Sequence, residues 1–450
     1  MNTALPPCRG RAWDLLAKGS VLDSKIFPPP DTQTDHADEE LSAPLRGKAH
    51  PAFESFQFRD FRWLVLGTFF SFLAVSMQQI TRGWLILRLT DDSPFALSLV
   101  MMSFAFPLTF ASVLGGAFAD RVARKYIIMV SQGGNALLTL VLAILDMTGL
   151  IRFWHLMCIG FMNGTLAAFN MPSRQSLISD IVPAKNLMNA ISLSSAGMNL
   201  TRIVGPAVAG VLIIYLETAG VFFLIAFIYV FSTLCTAMLK AGQKPLDRSE
   251  KGVGADIKAG FQYALRDSTL LGLLIMGFVP ALFGFPYLAL IPAWAREALN
   301  VQSDGLGLLL TFMGTGSLVG TLILASIRQL NRRGAVLLMN SFSWGICLIL
   351  FSQSASYTTA LPFVFLVGLM SGIFMSLNMT LIQLYSSTEM RGRIVSMAMM
   401  TFGIMPLSAV PFGAIAETMG TPNSLGLSGL FLCLFTVTYF FSYPKLRKVA

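Results

Sequence analysis

Charge is what this sequence lacks. Only 12% of its 450 residues are Asp, Glu, Lys or Arg, about half of what a water-soluble globule carries, while 54% are hydrophobic. Such a composition excludes a soluble domain and calls for lipid as solvent. Histidine and cysteine are scarce too. His36, His50 and His155 have no metal-ligand spacing, and Cys8, Cys158, Cys235, Cys347 and Cys433 include no C-x-x-C pair. No metal and no cofactor are expected, and the cysteines, four of which fall in or beside apolar runs, read as small core hydrophobes. No Walker-type G-x-x-x-x-G-K-[ST] occurs, so ATP is not the direct energy source. Short alternating segments of the kind that build transmembrane barrels are missing as well. The net charge of +9 is spread over loops rather than clustered on one face, which argues against a nucleic-acid partner.

What is present is a series of apolar stretches about twenty residues long, the length of a helix across a bilayer. In hydrocarbon every backbone N–H and C=O must be paired within its own segment, so each stretch is expected to be a helix. Twelve are expected: Trp63 to Leu87, Phe95 to Phe118, Tyr126 to Asp146, Phe153 to Met171, Asn189 to Ile213, Val221 to Leu239, Leu270 to Ile291, Leu306 to Ile327, Ala335 to Phe351, Leu361 to Leu384, Ile394 to Ala416 and Leu427 to Phe441. The fold class is therefore an all-α polytopic membrane protein of two similar six-helix bundles, 58–240 and 269–443. Residues 1–57, with three prolines at Pro28 to Pro30 and an acidic DTQTDHADEE run, read as a disordered tail. It has no apolar core of signal-peptide type, so the first helix is expected to act as an uncleaved insertion signal. Residues 241–268 form a polar linker in which Ile257, Phe261, Ala264 and Leu265 repeat at helical spacing, as in an interfacial helix or a plain connector. Residues 444–450 form a basic tail.

Lys and Arg fall almost wholly on alternate loops. Arg121, Arg124, Lys125, Arg174, Lys185, the linker, Arg328, Arg332, Arg333, Arg391, Arg393 and the tail lie on one side, and little beyond Arg88, Arg152 and Arg296 on the other. By the positive-inside rule both termini are cytoplasmic in a multi-pass cell-membrane protein.

Three groups of residues carry chemistry. The loop GGAFADRVARKYI holds Gly116, Asp120, Arg121, Arg124 and Lys125. A glycine permits close helix approach, an acid at the membrane edge caps a neighbouring helix N-terminus, and adjacent bases neutralise it. In the fifth stretch Gly205, Pro206 and Gly210 weaken and bend a helix, and Arg202 lies deep in it. A charge there is costly and usually faces a partner or a water-filled cavity, and Arg202 is expected to face the interior of the N-terminal bundle. Polar residues also recur on single helix faces: Ser71, Gln78 and Arg82; Asn163, Asn170 and Arg174; Ser371 and Asn378. These stripes serve either as substrate and coupling sites or as polar glue between helices. Pro280, Gly284 and Pro286 interrupt the seventh stretch.

The signature loop resembles the G-x-x-x-D-R-x-G-R-K loop of the major facilitator superfamily, with Ala123 where that family has Gly. The run from Asn170 to Gly210, with Pro172, Arg174, Gln175, Val182, Pro183, Asn189, Ala190, Arg202, Gly205, Pro206 and Gly210, resembles the bacterial exporter branch that includes the enterobactin exporter and related secretion-type facilitators. The Gly205-Pro206 element is similar to the antiporter motif of proton-coupled drug exporters, with Thr201 and Ala209 in place of two glycines. These resemblances imply a monomeric secondary transporter that works by alternating access, exports a small amphipathic molecule (siderophore, drug or metabolite) and exchanges it for protons. They also imply that Asp120 latches the cytoplasmic gate against the start of the eleventh helix. An importer of the same fold keeps nearly every feature. A membrane receptor or enzyme is the rival of another class, and no convergent nucleophile and base mark an enzyme.

Overall fold

The computed structural model describes residues 51–119, 122–240, 262–265, 267–327, 332–387 and 390–447. The apolar stretches are helices: α1 Arg59–Leu89, α2 Pro94–Ala119, α3 Arg124–Met147 and α4 Phe153–Ile181. The 51-residue run Leu187–Ala237 turns at Glu217, whose φ of 54° and ψ of −178° break it into α5 (187–216) and α6 (218–237). The seventh span, α7, is two pieces, Ser268–Phe283 and Tyr287–Leu299. Pro280 and Pro286 supply no backbone N–H, and the Gly284 and Phe285 nitrogens both turn back to the Pro280 carbonyl, at 2.7 and 3.0 Å. Then come α8 Ser303–Ser326, α9 Arg333–Ser352, α10 Tyr357–Tyr385, α11 Arg391–Met419 and α12 Thr421–Ser442. Among the described residues this makes twelve helices at the twelve expected stretches, and eight of the continuous helical runs are long and apolar enough to cross a membrane.

Helices in lipid gain no hydrophobic drive toward one another, so they associate through close packing of small residues. In the first half α4 sets Gly160 and Gly164 against Ser103 and the Phe104 carbonyl of α2. The second half repeats the device: Gly316 and Gly320 of α8 meet the Phe365 and Leu369 carbonyls of α10, and Gly368 and Gly372 of α10 meet those of Met313 and Ser317. The seams α2/α4 and α8/α10 occupy corresponding positions in the two bundles, which is the pseudo-symmetry in physical form. Between bundles the main contacts are α2 with α11 and α5 with α8.

One end of the molecule carries the turns at 122–123, 182–186 and 240, and is called here the linker end; the far end carries those at 90–93, 148–152 and 300–302. At the far end Asp92 pairs with Arg296 across the bundles at 2.7 Å, and the Arg296 guanidinium lies 5.2 Å from the centre of the Trp84 ring. Within the N-terminal bundle Asp146 takes Arg88 and the Thr218 hydroxyl, joining α1, α3 and α6.

The tail boundary expected at residue 57 is corrected in part. Pro51–Gln57 forms a 3-10 helix whose Ser55 is fully buried, its nitrogen donating to Asn189 Oδ1 at 3.2 Å and its hydroxyl to the Asn186 carbonyl at 3.3 Å. Phe56 packs edge-on to Phe61. These contacts dock the segment on the start of α5. Residues 1–50 and most of the linker lie outside the described residues.

Candidate functional site: an inter-bundle gap

The phase of α5 locates a gap. At 100° per residue, Thr201 and Gly205 point to α1, where a Cβ on Gly205 would sit 2.5 Å from Ser76 Cβ. Ile203 and Gly210 point to α8, where Thr311 donates to the Ile203 carbonyl at 3.2 Å and Gly210 faces Gly307. The arc turned away from both exposes Leu200, Val208, Val211 and Ile214, an apolar surface suited to lipid. The arc between them exposes Ser192, Asn199 and Arg202 in the half nearer the linker end, and buries Pro206, Ala209, Gly210 and Ile213 in the far half. The gap between the bundles is thus open at the linker end and shut at the far end.

Arg202 lies on that open arc. Its side chain is exposed and has no polar partner among the described residues, so the expectation that it packs into the N-terminal bundle is corrected. The sequence gives a residue's angle on its own helix; it does not say which neighbour stands at that angle.

The polar stripes of α1 and α4 do meet. Arg82 Nη2 donates to Asn163 Oδ1 at 2.6 Å, and Asn163 Nδ2 donates to Asn135 Oδ1 of α3 at 2.6 Å. Gln78 Nε2 donates to Thr139 Oγ1 at 2.9 Å and its oxygen accepts from the Tyr229 hydroxyl at 3.3 Å. Nearer the linker end, Arg174 donates to Thr68 Oγ1 at 2.6 Å and to Asn170 Oδ1 at 3.2 Å. With the Gln132 amide oriented to satisfy its neighbours, its oxygen takes a third bond from Arg174 at 2.6 Å. Every partner of these two guanidiniums is neutral. Arg174, 7% exposed, has all its nitrogens engaged; Arg82, partly buried, keeps an Nε with no acceptor. Gln132, Asn135 and Thr139 were not singled out from the sequence, although their spacing of three and four puts them on one helix face, the same signal that marked the other stripes.

Acids are confined to the rims. Among the described residues Glu54, Asp60, Asp180 and Asp267 lie at the linker end, and Asp91, Asp92, Asp146, Glu217, Glu297, Asp304 and Glu417 at the far end. Arg82, Arg174 and Arg202 therefore stand in the interior without a described carboxylate.

The C-terminal bundle holds an apolar cavity of its own. A cavity of about 240 Å³ opens between α7, α10 and α11, lined by Phe285, Met375, Met379 and Met405 together with Asn378. Asn378 is 7% exposed and its Oδ1 has no donor. Ser371, its stripe partner, bonds its own helix at the Gly368 carbonyl, 2.7 Å away.

This architecture can be set beside known proteins. The family model described as transmembrane secretion effector matches residues 51–449. The chain belongs to this family, a branch of the major facilitator superfamily. It is 24% identical over 393 residues to the staphyloferrin A transporter of Staphylococcus aureus, covering 86% of this chain and 97% of that one. It is 25% identical over 417 residues to the enterobactin exporter EntS of Shigella flexneri, covering 89% and 94%. The nucleoside transporter NupG shares the fold, with a TM-score of 0.69 at 13% identity over 86% of this chain and all of that one.

The signature loop of this secretion effector is only partly described. Gly116 stands near the end of α2, whereas Asp120 and Arg121 lie outside the described residues. Arg124 and Lys125 turn into the N-terminal bundle. Arg124 pairs with Asp180 at the end of α4, at 2.7 Å. Lys125 Nζ donates to the Ala237 and Leu239 carbonyls, at 2.8 and 2.5 Å, where the last turn of α6 leaves acceptors unsatisfied and its dipole favours a cation. These two bases brace three helices of one bundle. The bend motif serves the seam between bundles: a Cβ on Gly307 would lie 2.7 Å from the Pro206 carbonyl, and Ser303 donates to the Gly210 carbonyl at 3.0 Å.

Proposed function

We propose that this chain is an alternating-access exporter of a small amphipathic compound, a siderophore, drug or metabolite, working as a monomer in the cell membrane with both termini in the cytoplasm. The observation that carries the reading is the gap itself, open at the linker end, where α5 exposes Ser192, Asn199 and Arg202 between its contacts with α1 and α8. The loops at that end hold the excess of Lys and Arg, which by the positive-inside rule favours a cytoplasmic position, and a chain so oriented presents its cavity to an internal substrate. The seams that would open and close are α2/α11 and α5/α8, where small residues and exposed polar contacts join otherwise separate bundles. Export is favoured by the likeness to a protein named as an exporter. Proton exchange, which the resemblance implies, would need a titrating carrier other than an interior carboxylate among the described residues.

A comparison of metabolites in the medium of cells with and without the protein tests the reading. A compound lost from the medium and retained in deletion cells is expected. Depletion of an external compound by expressing cells alone would turn the direction around and make the chain an importer.

A further inference from the structure

We infer that the outer face of α1 at the linker end binds an anionic phospholipid, its phosphate taken by Arg59 and Arg62 and its acyl chain laid along Leu66 and Phe70 toward α6. The site depends only on the helices lying in a bilayer and is indifferent to the direction of transport. Arg59, Arg62, Trp63 and Leu66 follow one another at separations of three, one and three residues, which puts them on one face of α1, and together they line an open pocket of about 390 Å³. The phase of α1 fixes where that face points. Thr68 and Arg82 bond to Arg174 and Asn163 of α4, and at 100° per residue they lie about half a turn from the face that carries the pocket. The pocket is therefore on the outside of the N-terminal bundle, opposite α4, between the directions in which Gly67 meets α6 and Ser76 meets α5.

Both guanidiniums are exposed, and they take part in none of the ion pairs among the described residues, which are Arg88–Asp146, Arg124–Asp180 and Arg296–Asp92. The neighbouring acid, Asp60, is turned aside and accepts from the Lys240 backbone nitrogen at 3.0 Å. Arg124 and Lys125 at the same end differ, since their charges are met inside the bundle. Two guanidiniums one turn apart on a lipid-facing helix end present forked donors that match phosphate oxygens, and anionic lipids gather such groups at the membrane surface. Deeper along the face the surface turns apolar. Trp63 is half-buried, an aromatic of the kind that sits at headgroup level, and Leu66 is 38% exposed. Phe70 packs edge-on against Phe231 of α6, with ring centres 4.9 Å apart. On α6 the exposed Phe227, Phe231 and Leu234 recur at spacings of four and three, one face that continues the apolar strip. A free phosphate ion would use the arginines alone; a phospholipid uses the arginines and the strip together, which commits the site to lipid.

Tryptophan quenching tests this, with Trp63 as reporter and the Trp63→Phe chain subtracted as background. The full chain is placed in phosphatidylcholine vesicles doped with equal small fractions of either brominated phosphatidylglycerol or brominated phosphatidylcholine. Quenching of Trp63 is expected to show an affinity for phosphatidylglycerol about five- to thirtyfold above that for phosphatidylcholine, the worth of one to two basic groups near an anionic surface. Arg59→Gln combined with Arg62→Gln should erase the preference, whereas the paired Lys variants should keep part of it, because the charge survives and the fork does not. Equal quenching by the two lipids overturns the inference, as does an undiminished preference in the double Gln variant. Millimolar inorganic phosphate at constant ionic strength should leave the preference in place; its loss would make the pocket a free-anion site and overturn the lipid assignment. Should the double variant fail to fold, Arg59→Gln and Arg62→Gln singly, each expected to lose about fivefold, decide in its place. No flux is read, so the result stands apart from the transporter reading.

Discussion

Glu417, in the last turn of α11, accepts from the Ser93 hydroxyl at 3.0 Å and from the Phe95 backbone nitrogen at 3.4 Å, at the first turn of α2 in the other bundle. A carboxylate of one bundle thus caps a helix N-terminus of the other, at the far end. The resemblance implies the same arrangement at the linker end with roles exchanged, Asp120 at the close of α2 meeting the start of α11. An exposed contact of this kind is worth about 0.3 to 1 kcal/mol, enough to shift the ratio of two conformers roughly two- to fivefold. Glu417→Gln should raise the population open at the far end by that factor. Spin labels at Thr148 and Ser356 would report it as a longer distance component, and an unchanged distribution would count against the contact as a gate.

Arg124 and Asp180 form a mostly buried ion pair, with side chains 9% and 23% exposed. Removing one partner of a buried pair costs up to roughly 3 to 5 kcal/mol, and somewhat less where one member reaches water. Arg124→Ala is therefore expected to lower the midpoint of thermal unfolding in detergent by several degrees. Flux per correctly folded molecule should survive, because the pair lies inside one bundle. A variant of full stability that no longer transports would show that Arg124 belongs to the gate and not to the brace.

Two glycines of similar crowding are expected to fail in different ways. A side chain on Gly164 meets the Phe104 backbone inside the N-terminal bundle, so Gly164→Val should reduce folded protein. A Cβ on Gly210 would lie 2.5 Å from the Ser303 carbonyl across the α5/α8 seam, so Gly210→Val should leave both bundles folded and keep the far end from closing. Cysteine accessibility at the far end, read beside the yield of monodisperse protein, separates the two.

Much of the fold was legible because lipid leaves the backbone few choices. A twenty-residue apolar run must be a helix, and Pro280, Gly284 and Pro286 together forecast the break in α7 that the backbone shows at 283–287. The meeting of Arg82 with Asn163 was legible as two stripes on two helices, though the bond between them was not. Arg202 was not legible: its angle on α5 was computable, but only the positions of α1 and α8 reveal that this angle opens on a gap. The charge pattern of the interior also needed the fold, since only the three-dimensional arrangement shows every described acid at a rim and three arginines between.

The glycine seams α2/α4 and α8/α10 have a mechanical corollary. Four carbonyls of one half press on glycine Cα positions that have no room for a methyl group, so neither pair can slide by a fraction of a turn without collision. In the proposed cycle each half would then tilt as a welded plate, a rocking of two stiff bodies about α2/α11 and α5/α8. Compliance is concentrated at those two joints and in the broken α7, the places where a bound molecule could jam the stroke.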